Sequence, residues 1–287
     1  MKLSIVIVNF NGRHFFDACL KSISEHVLFD HEVIIVDNAS TDGSVDYVRK
    51  AYPKVRLIEN ECNVGFARGN NIGANAADGE FMLLLNNDTI LLDDLTSAIA
   101  ILAHDMSIGV LGARMLGKDD EYRCSSGYFP EPWRLFKLSS LYRKDGGFGN
   151  GDFEVKNSVY RVDWVEGSFL LTRMSLWRDI GGLDESYFMY VEDVDYAKRA
   201  SLLGKHAVFC PFISYTHFGG YGHSRIGMLI KGFRRYHDSH SNWLKSWLAN
   251  IVLDGGLIIR ALICALRSIG NHQEIERARL CLKALRR

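Results

Sequence analysis

Four polar groups stand where this chain could do chemistry. Apolar runs end on "VNFNG" (Val8 to Gly12), on "VDNASTDGS" (Val36 to Ser44) and on "LNNDT" (Leu85 to Thr89). Each ending offers amide or carboxylate oxygens at the point where a buried strand gives out. Ligands of open α/β sheets gather at the carboxyl ends of strands, so three such endings on one edge make a binding cleft. Taken singly, the first and last read as ordinary turns. The fourth group is Glu192, Asp193 and Asp195, at the head of a segment with helical spacing. A carboxylate there can accept a proton in catalysis, although a helix N-terminus favours acids in any case.

The elements that must hold these groups follow from hydrophobic period. "LSIVIVNF", "HEVIIVD", "VRLIE" and "EFMLLL" are short apolar or β-branched runs and read as strands. Between them, "HFFDACLKSISEHV" places Phe16, Cys19, Leu20 and Ile23 on one helical face, and "SVDYVRKAY" and "ARGNNIGANAA" read as further helices. The alternation predicts a mostly parallel sheet covered by helices on both faces. No Gly-x-Gly-x-x-Gly follows the first strand and no Gly-x-x-x-x-Gly-Lys-Ser/Thr occurs, so dinucleotide and P-loop readings are weak. The opening "MKLSIVIVNFNG" has only Leu3 to Val8 as its apolar stretch and reads as a buried strand, not a signal peptide.

Composition sets the frame. With 287 residues, 47% hydrophobic, 24% charged and only 4 prolines, the chain suits one large domain or a domain with an appendage. Six cysteines without a Cys-x-x-Cys pair suit reduced cytoplasmic thiols better than disulfides or a zinc site. Formal charge is zero but uneven. Residues 225–287 carry 12 Lys/Arg against 4 Asp/Glu, and residues 1–224 carry 22 against 30. An acidic body with a basic tail suggests two tasks on one chain, and gives no indication of nucleic acid as a partner.

"SIVIVNFNG", "VIIVDNASTDGS", "NVGFARGNNIGANAADGEFMLLLNNDT" and "GGLDESYFMYVEDVDYAKRA", in this order and spacing, resemble a family 2 inverting glycosyltransferase of the bacterial rhamnosyltransferase type. The resemblance implies the α/β GT-A fold, a Rossmann-like nucleotide-binding sheet flanked by helices over residues 1–224. Residues 1–115 would form its nucleotide-sugar half and 116–224 its acceptor half, with a helical extension over 225–287. It implies a nucleotide-diphosphate sugar donor and a divalent metal, Mg²⁺ or Mn²⁺. The acceptor would be a glycan hydroxyl, often lipid-linked, in cell-surface polysaccharide synthesis. Local likeness leans to dTDP-rhamnose.

These implications fall on particular residues. Asp37 can accept from the base imide or the ribose; an Asx-turn is the alternative. Asn9 and Asn11 can line the same pocket, or Asn11-Gly12 can be only a turn. Arg68 can reach the base or diphosphate, or form a surface ion pair. Charge grows on the diphosphate as the sugar leaves, and a cation held by a carboxylate stabilises it. Asp88 is the expected metal ligand, with Asn87 and Asn86 beside it. Asn86 takes the place of the first Asp in the family's Asp-x-Asp motif, which removes one negative charge. An inverting reaction also needs a base on the acceptor side. The resemblance puts it at Asp193; Glu192 is next in line, and Asp195 is either structural or orients the sugar. His217 matches a histidine that can complete the metal site, giving a mixed O/N donor set, and the glycines around it (Gly219, Gly220, Gly222) would let a loop fold over the donor. Glu166-Gly167-Ser168 can face the sugar, and Trp133 can stack on it or pack elsewhere.

In the tail, Leu244, Trp247, Leu248, Ile251, Ile258, Ile259, Leu262 and Leu266 share a broad apolar face, with Lys245, Arg260 and Arg267 on a narrow strip. The core Ile251 to Leu266 is short of a span and holds Asp254 and Arg260; Gly255-Gly256 can break it in two. The expectation is a helix lying at the inner face of the cytoplasmic membrane, in competition with a helix that packs on the catalytic domain or makes a homodimer. Two other classes remain: a non-catalytic nucleotide-sugar or carbohydrate module on the same fold, against which Asp88, Asp193 and His217 argue, and a nucleotidyltransferase, which should carry a Gly-rich basic loop after the first strand where this chain has "VNFNGRHFF".

Overall fold

The computed structural model describes residues 1–153, 158–219, 225–267 and 272–285. The chain divides into two compact units: Met1–Tyr128, Arg143–Phe188 and Glu192–Gly219 form one, and Phe129–Tyr142, Met189–Val191 and Gly220–Arg287 the other.

The first unit begins with β1 (Leu3–Asn9), α1 (Phe16–His26), β2 (His31–Asp37), α2 (Ser44–Ala51), β3 (Arg56–Glu59), α3 (Phe66–Asn75) and β4 (Phe81–Leu85). β2, β1 and β4 are near-continuous apolar runs because both faces of the sheet are covered. Phe16, Cys19, Leu20 and Ile23 of α1 are all buried against Ile5, Ile7 and their neighbours. α3 packs its small residues on the other face, where a Cβ at Gly73 would lie 2.3 Å from Val6 Cγ1. The strands β3-β2-β1-β4 pair in parallel, as the alternation predicts.

Beyond β4 the sheet becomes mixed. It continues with β5 (Thr89–Leu91), α4 (Thr96–His104), β6 (Ile108–Leu116), β7 (Tyr122–Arg123) and β8 (Ser126–Gly127). After α5 (Pro132–Leu135), which belongs to the second unit, come β9 (Tyr160–Val162), β10 (Trp164–Val165), β11 (Phe169–Arg173), α6 (Met174–Ile180), α7 (Glu192–Leu202) and β12 (His206–His217). The pairing order is β3-β2-β1-β4-β11-β6-β12-β5. β11 runs antiparallel to both β4 and β6. β12 is parallel to β6, with a register shift between Cys210 and Ser214, after which Tyr215 to His217 pair antiparallel with β5. The short strand β5 therefore carries the residues after Asp88 to the end of β12.

The second unit packs α5, α8 (Ile226–His240), α9 (Trp243–Arg267) and α10 (His272–Leu285) together. Arg234 of α8 donates to Asp254 Oδ1 at 2.6 Å and Asn250 Oδ1 at 3.1 Å, and Lys245 pairs with Glu131 at 2.7 Å. The expected break at Gly255-Gly256 does not occur: α9 is one helix of 25 residues. Gly256 is buried, and a Cβ there would stand 3.2 Å from Phe136 O, so the glycine serves close packing. Being continuous, α9 is also long and apolar enough to cross a membrane by length and composition, which corrects the expectation that it falls short. Its exposed side carries Leu244, Trp247, Leu248, Ile251, Ile258, Ile259, Leu262 and Leu266.

Candidate active site

The cleft at the carboxyl ends of β1, β2 and β4 is organised around Asn9, which is fully buried. Its Nδ2 donates to Asp37 Oδ1 at 2.7 Å and to Ser40 Oγ at 3.0 Å. Its Oδ1 accepts from Asn87 Nδ2 at 2.7 Å and from the Gly12 N–H at 3.2 Å. One amide thus joins the ends of three strands. A Cβ at Gly12 would fall 1.9 Å from Asn87 Nδ2, so only glycine leaves room for that bond. Asp37 is 2% exposed, and its Oδ2 accepts from the Ser40 N–H at 2.8 Å, which is the Asx-turn alternative. A carboxylate has about four acceptor positions, so capacity for a ligand remains. Asn11, at φ 55°, accepts from the Thr41 N–H at 2.8 Å and ties the first loop to the second.

Across the cleft, the β5–β12 register sets Thr89 opposite His217. The Phe218 N–H donates to Asp88 O at 2.9 Å, and His217 Nε2 lies 3.3 Å from Asp88 Oδ1. Asn86 Nδ2 approaches the same imidazole nitrogen at 3.3 Å. Asn86, Asp88 and His217 are each only partly exposed. A Cβ at Gly219 would stand 2.6 Å from Asp88 Oδ2 and 2.8 Å from His217 Nε2, so the space between these donors depends on a missing side chain. Among the described residues no group of three His, Cys, Asp or Glu forms a complete metal cage. The pair, with the Asn86 amide beside it, fits a hard or borderline divalent cation that draws its remaining ligands from elsewhere. Gly220 and Gly222 of the expected donor-covering loop lie outside the described residues.

The third component is Glu166-Gly167-Ser168, between β10 and β11. The Gly167 N–H donates to Asp193 Oδ2 at 2.9 Å, and the Val194 N–H to Asp193 Oδ1 at 2.8 Å. One residue on, Ser168 O accepts from the Asn86 N–H at 3.1 Å. A single tripeptide therefore links Asp193 to the Asn86–Asp88 turn. Burial pushes the Asp193 carboxyl up to about 6, against the Gly167 N–H bond and with the help of the Glu166 charge. Glu192 and Glu166 are buried. Burial, then the Asp193 charge, drives the Glu192 carboxyl well above the usual range, and among the described residues its Oε2 has no hydrogen-bond partner. Beneath the tripeptide, Tyr215 OH lies 2.8 Å from Ser168 Oγ; burial raises this phenol, and the charges of Glu166, Asp88 and Asp193 raise it further.

Arg68 lies in the first turn of α3, not in a loop, and its Nε is 3.7 Å from Glu185 Oε2 on the surface. Trp133 belongs to the second unit and is 70% exposed. Some residues that build the cleft carry no sequence signal of their own. Asn38 receives Asn60 Nδ2 at 2.8 Å and donates to Gly65 O at 3.1 Å, and Gly65, at φ 86°, leaves room for Phe188 O. The crowding of Asn in "VDNAS", "NECNVG" and "GNN" was the available clue.

The family model described as "Glycosyl transferase family 2" matches residues 4–169. The "N-acetylglucosaminyl-diphospho-decaprenol L-rhamnosyltransferase" of Mycobacterium tuberculosis is 26% identical over 291 residues, covering 90% of this chain and 91% of that one. Among solved structures, S. aureus TarS 1–349 in complex with UDP has a TM-score of 0.60 at 18% identity, over 99% of this chain and 79% of that one. The mannosyltransferase PcManGT of Pyrobaculum calidifontis in complex with GDP-Man and Mn²⁺ has a TM-score of 0.59 at 17% identity, over 98% and 85%. The fold these similarities identify is GT-A.

Proposed function

The chain belongs to glycosyl transferase family 2, and from that premise we propose that it moves a sugar, with rhamnose from dTDP-rhamnose as the first candidate, from a nucleotide diphosphate to a hydroxyl of a lipid-linked glycan, with inversion. The observation that carries this reading is the tripeptide Glu166-Gly167-Ser168, bonded to Asp193 on one side and to Asn86 on the other. Inverting transfer needs a base on the acceptor side and charge stabilisation on the leaving side, held at a fixed separation.

Asp193 takes the proton of the attacking hydroxyl. Its raised pKa makes it a stronger base than an ordinary aspartate while leaving it ionised at neutral pH. The two N–H donors fix its orientation. Asp37, Asn9 and Asn11 hold the nucleoside end through the strand-end network, with Arg68 available to the base or diphosphate. Asp88 and His217, with Asn86, would hold a Mg²⁺ or Mn²⁺ ion. When bound there, that ion supplies Lewis-acid stabilisation of the leaving diphosphate. The M. tuberculosis relative, whose name gives a lipid-diphosphate acceptor, supports the rhamnose and lipid-linked parts of the reading. The exposed apolar side of α9 supports work at a membrane surface. Its opposite side is packed on α5, α8 and α10, which favours a helix lying in the interface, at the inner face of the cytoplasmic membrane.

The test is a panel of sugar nucleotides with purified protein, with and without Mn²⁺, scored by free nucleotide diphosphate. Turnover of one donor, enhanced by a glycan acceptor, is expected. Tight binding of a donor without turnover under any acceptor favours a non-catalytic module.

A further inference from the structure

The second unit holds a cavity of about 400 Å³ lined by α8, α9 and α10, by Arg225 just before α8 and by Tyr190. Among the described residues, four guanidiniums line it (Arg225, Arg260, Arg267, Arg277) against one carboxylate, Glu274. Glu274 is ion-paired with Arg277. Among the described residues, no carboxylate forms an ion pair with Arg260 or Arg267. Gathering cations in a concave site is unfavourable unless an anion joins them, and the planar, forked guanidinium matches phosphate oxygens in particular.

The placement of α9's charges adds to this. The basic strip of α9 is engaged within the unit: Lys245 is bound to Glu131, and Arg260 and Arg267 face the cavity. The side of α9 opposite that strip carries the exposed apolar residues Trp247, Ile251, Ile258 and Leu262. Leu229 and Leu280 supply apolar wall to the cavity itself. A freely soluble anion would not need the apolar wall.

We propose that this cavity is a binding site for the phosphate or diphosphate head of a long-chain lipid. The head accepts hydrogen bonds from Arg260 and Arg267, and the first carbons of the chain lie along the leucines. The assignment of the lipid as the acceptor's own carrier rests on the proposed function; the phosphate site does not.

The experiment is flotation of the full-length protein with phosphatidylcholine vesicles. These are used plain, with a polyprenyl diphosphate, or with phosphatidylglycerol at the same surface charge. The protein should float with polyprenyl diphosphate vesicles and not with plain ones, and millimolar inorganic pyrophosphate should release it. Arg260→Gln with Arg267→Gln should weaken vesicle affinity by roughly tenfold for each guanidinium removed. Glu274→Gln should strengthen it, an outcome misfolding cannot imitate. Equal binding to phosphatidylglycerol vesicles, lost in the same double variant, upholds the phosphate site and makes bulk lipid its source. Flotation indifferent to these variants and to pyrophosphate overturns the proposal, as does a protein that binds no vesicle and instead dimerises through α9. Sugar transfer to a soluble glycan does not enter this readout, so failure here leaves the proposed activity standing, and failure of that activity leaves the phosphate site standing.

Discussion

Asp88 Oδ1 stands 3.3 Å from His217 Nε2, although one residue precedes β5 and the other ends β12, far along the sequence. Gly219 keeps the space beside them clear. Chelation should therefore abolish transfer, and Mn²⁺ or Mg²⁺ should restore it. Gly219→Ala should leave thermal stability nearly unchanged while raising the metal concentration needed for half-maximal rate. Full activity in excess EDTA would remove the cation from the mechanism.

Asp193 should control the chemical step and not donor affinity. Asp193→Asn should lower transfer by roughly 10²–10⁴-fold, the usual span for a positioned base. Because burial raises this carboxyl to about 6, it is protonated below that pH and unable to accept a proton. The transfer rate should rise with pH through about 6 and then level off. A rate that is flat from pH 5 to 7, measured at saturating donor, would place the base elsewhere.

Glu192 is the neighbouring candidate, and burial separates the two roles. Burial, then the Asp193 charge, drives its carboxyl well above the usual range, which favours the neutral form. Gln is a close mimic of a protonated Glu. Glu192→Gln should therefore cost far less activity than Asp193→Asn. Kinetics of the two variants side by side decide this, and an equal loss would make Glu192 the ionised group.

Asn9 is a structural hinge of the donor side. Asn9→Ala leaves Asp37 Oδ1 and Asn87 Nδ2 without the partner they have in the native cleft. Each buried polar group so deprived costs about 1–3 kcal/mol. Urea unfolding should show a loss of about 2–6 kcal/mol with an unchanged m-value. A variant as stable as the parent would mean that water replaces both bonds.

The parallel half of the sheet was legible because its strands are local and apolar on both faces. Leu3 to Asn9 and Phe81 to Leu85 carry their own signal, as does the face of α1. The mixed half was not, because pairing between distant strands leaves no local pattern. Thr89–Leu91 reads as the tail of a turn, and only its register with Tyr215–His217 makes it a strand. The same holds in the cleft. Asp37, Asp88 and Asp193 stand out as carboxylates at element ends, whereas Ser168 and Gly167 act through backbone groups that every residue possesses. In α9, glycine propensity pointed to a break, and packing of Gly256 on the Phe136 carbonyl prevailed.

The insertion of β11 between β4 and β6 has a consequence for a chain still being synthesised. Until Phe169 to Arg173 have been made, Phe81 to Leu85 form an unpaired edge of fully apolar residues on a partly formed sheet. Such an edge is a template for pairing with other chains. Fragments ending shortly before Phe169 should accumulate in the insoluble fraction, and extension through His217 should restore solubility by supplying both β11 and the strand that holds β5. Equal solubility of the two fragments, on expression at the same level, would mean that β4 is shielded by some other part of the nascent chain.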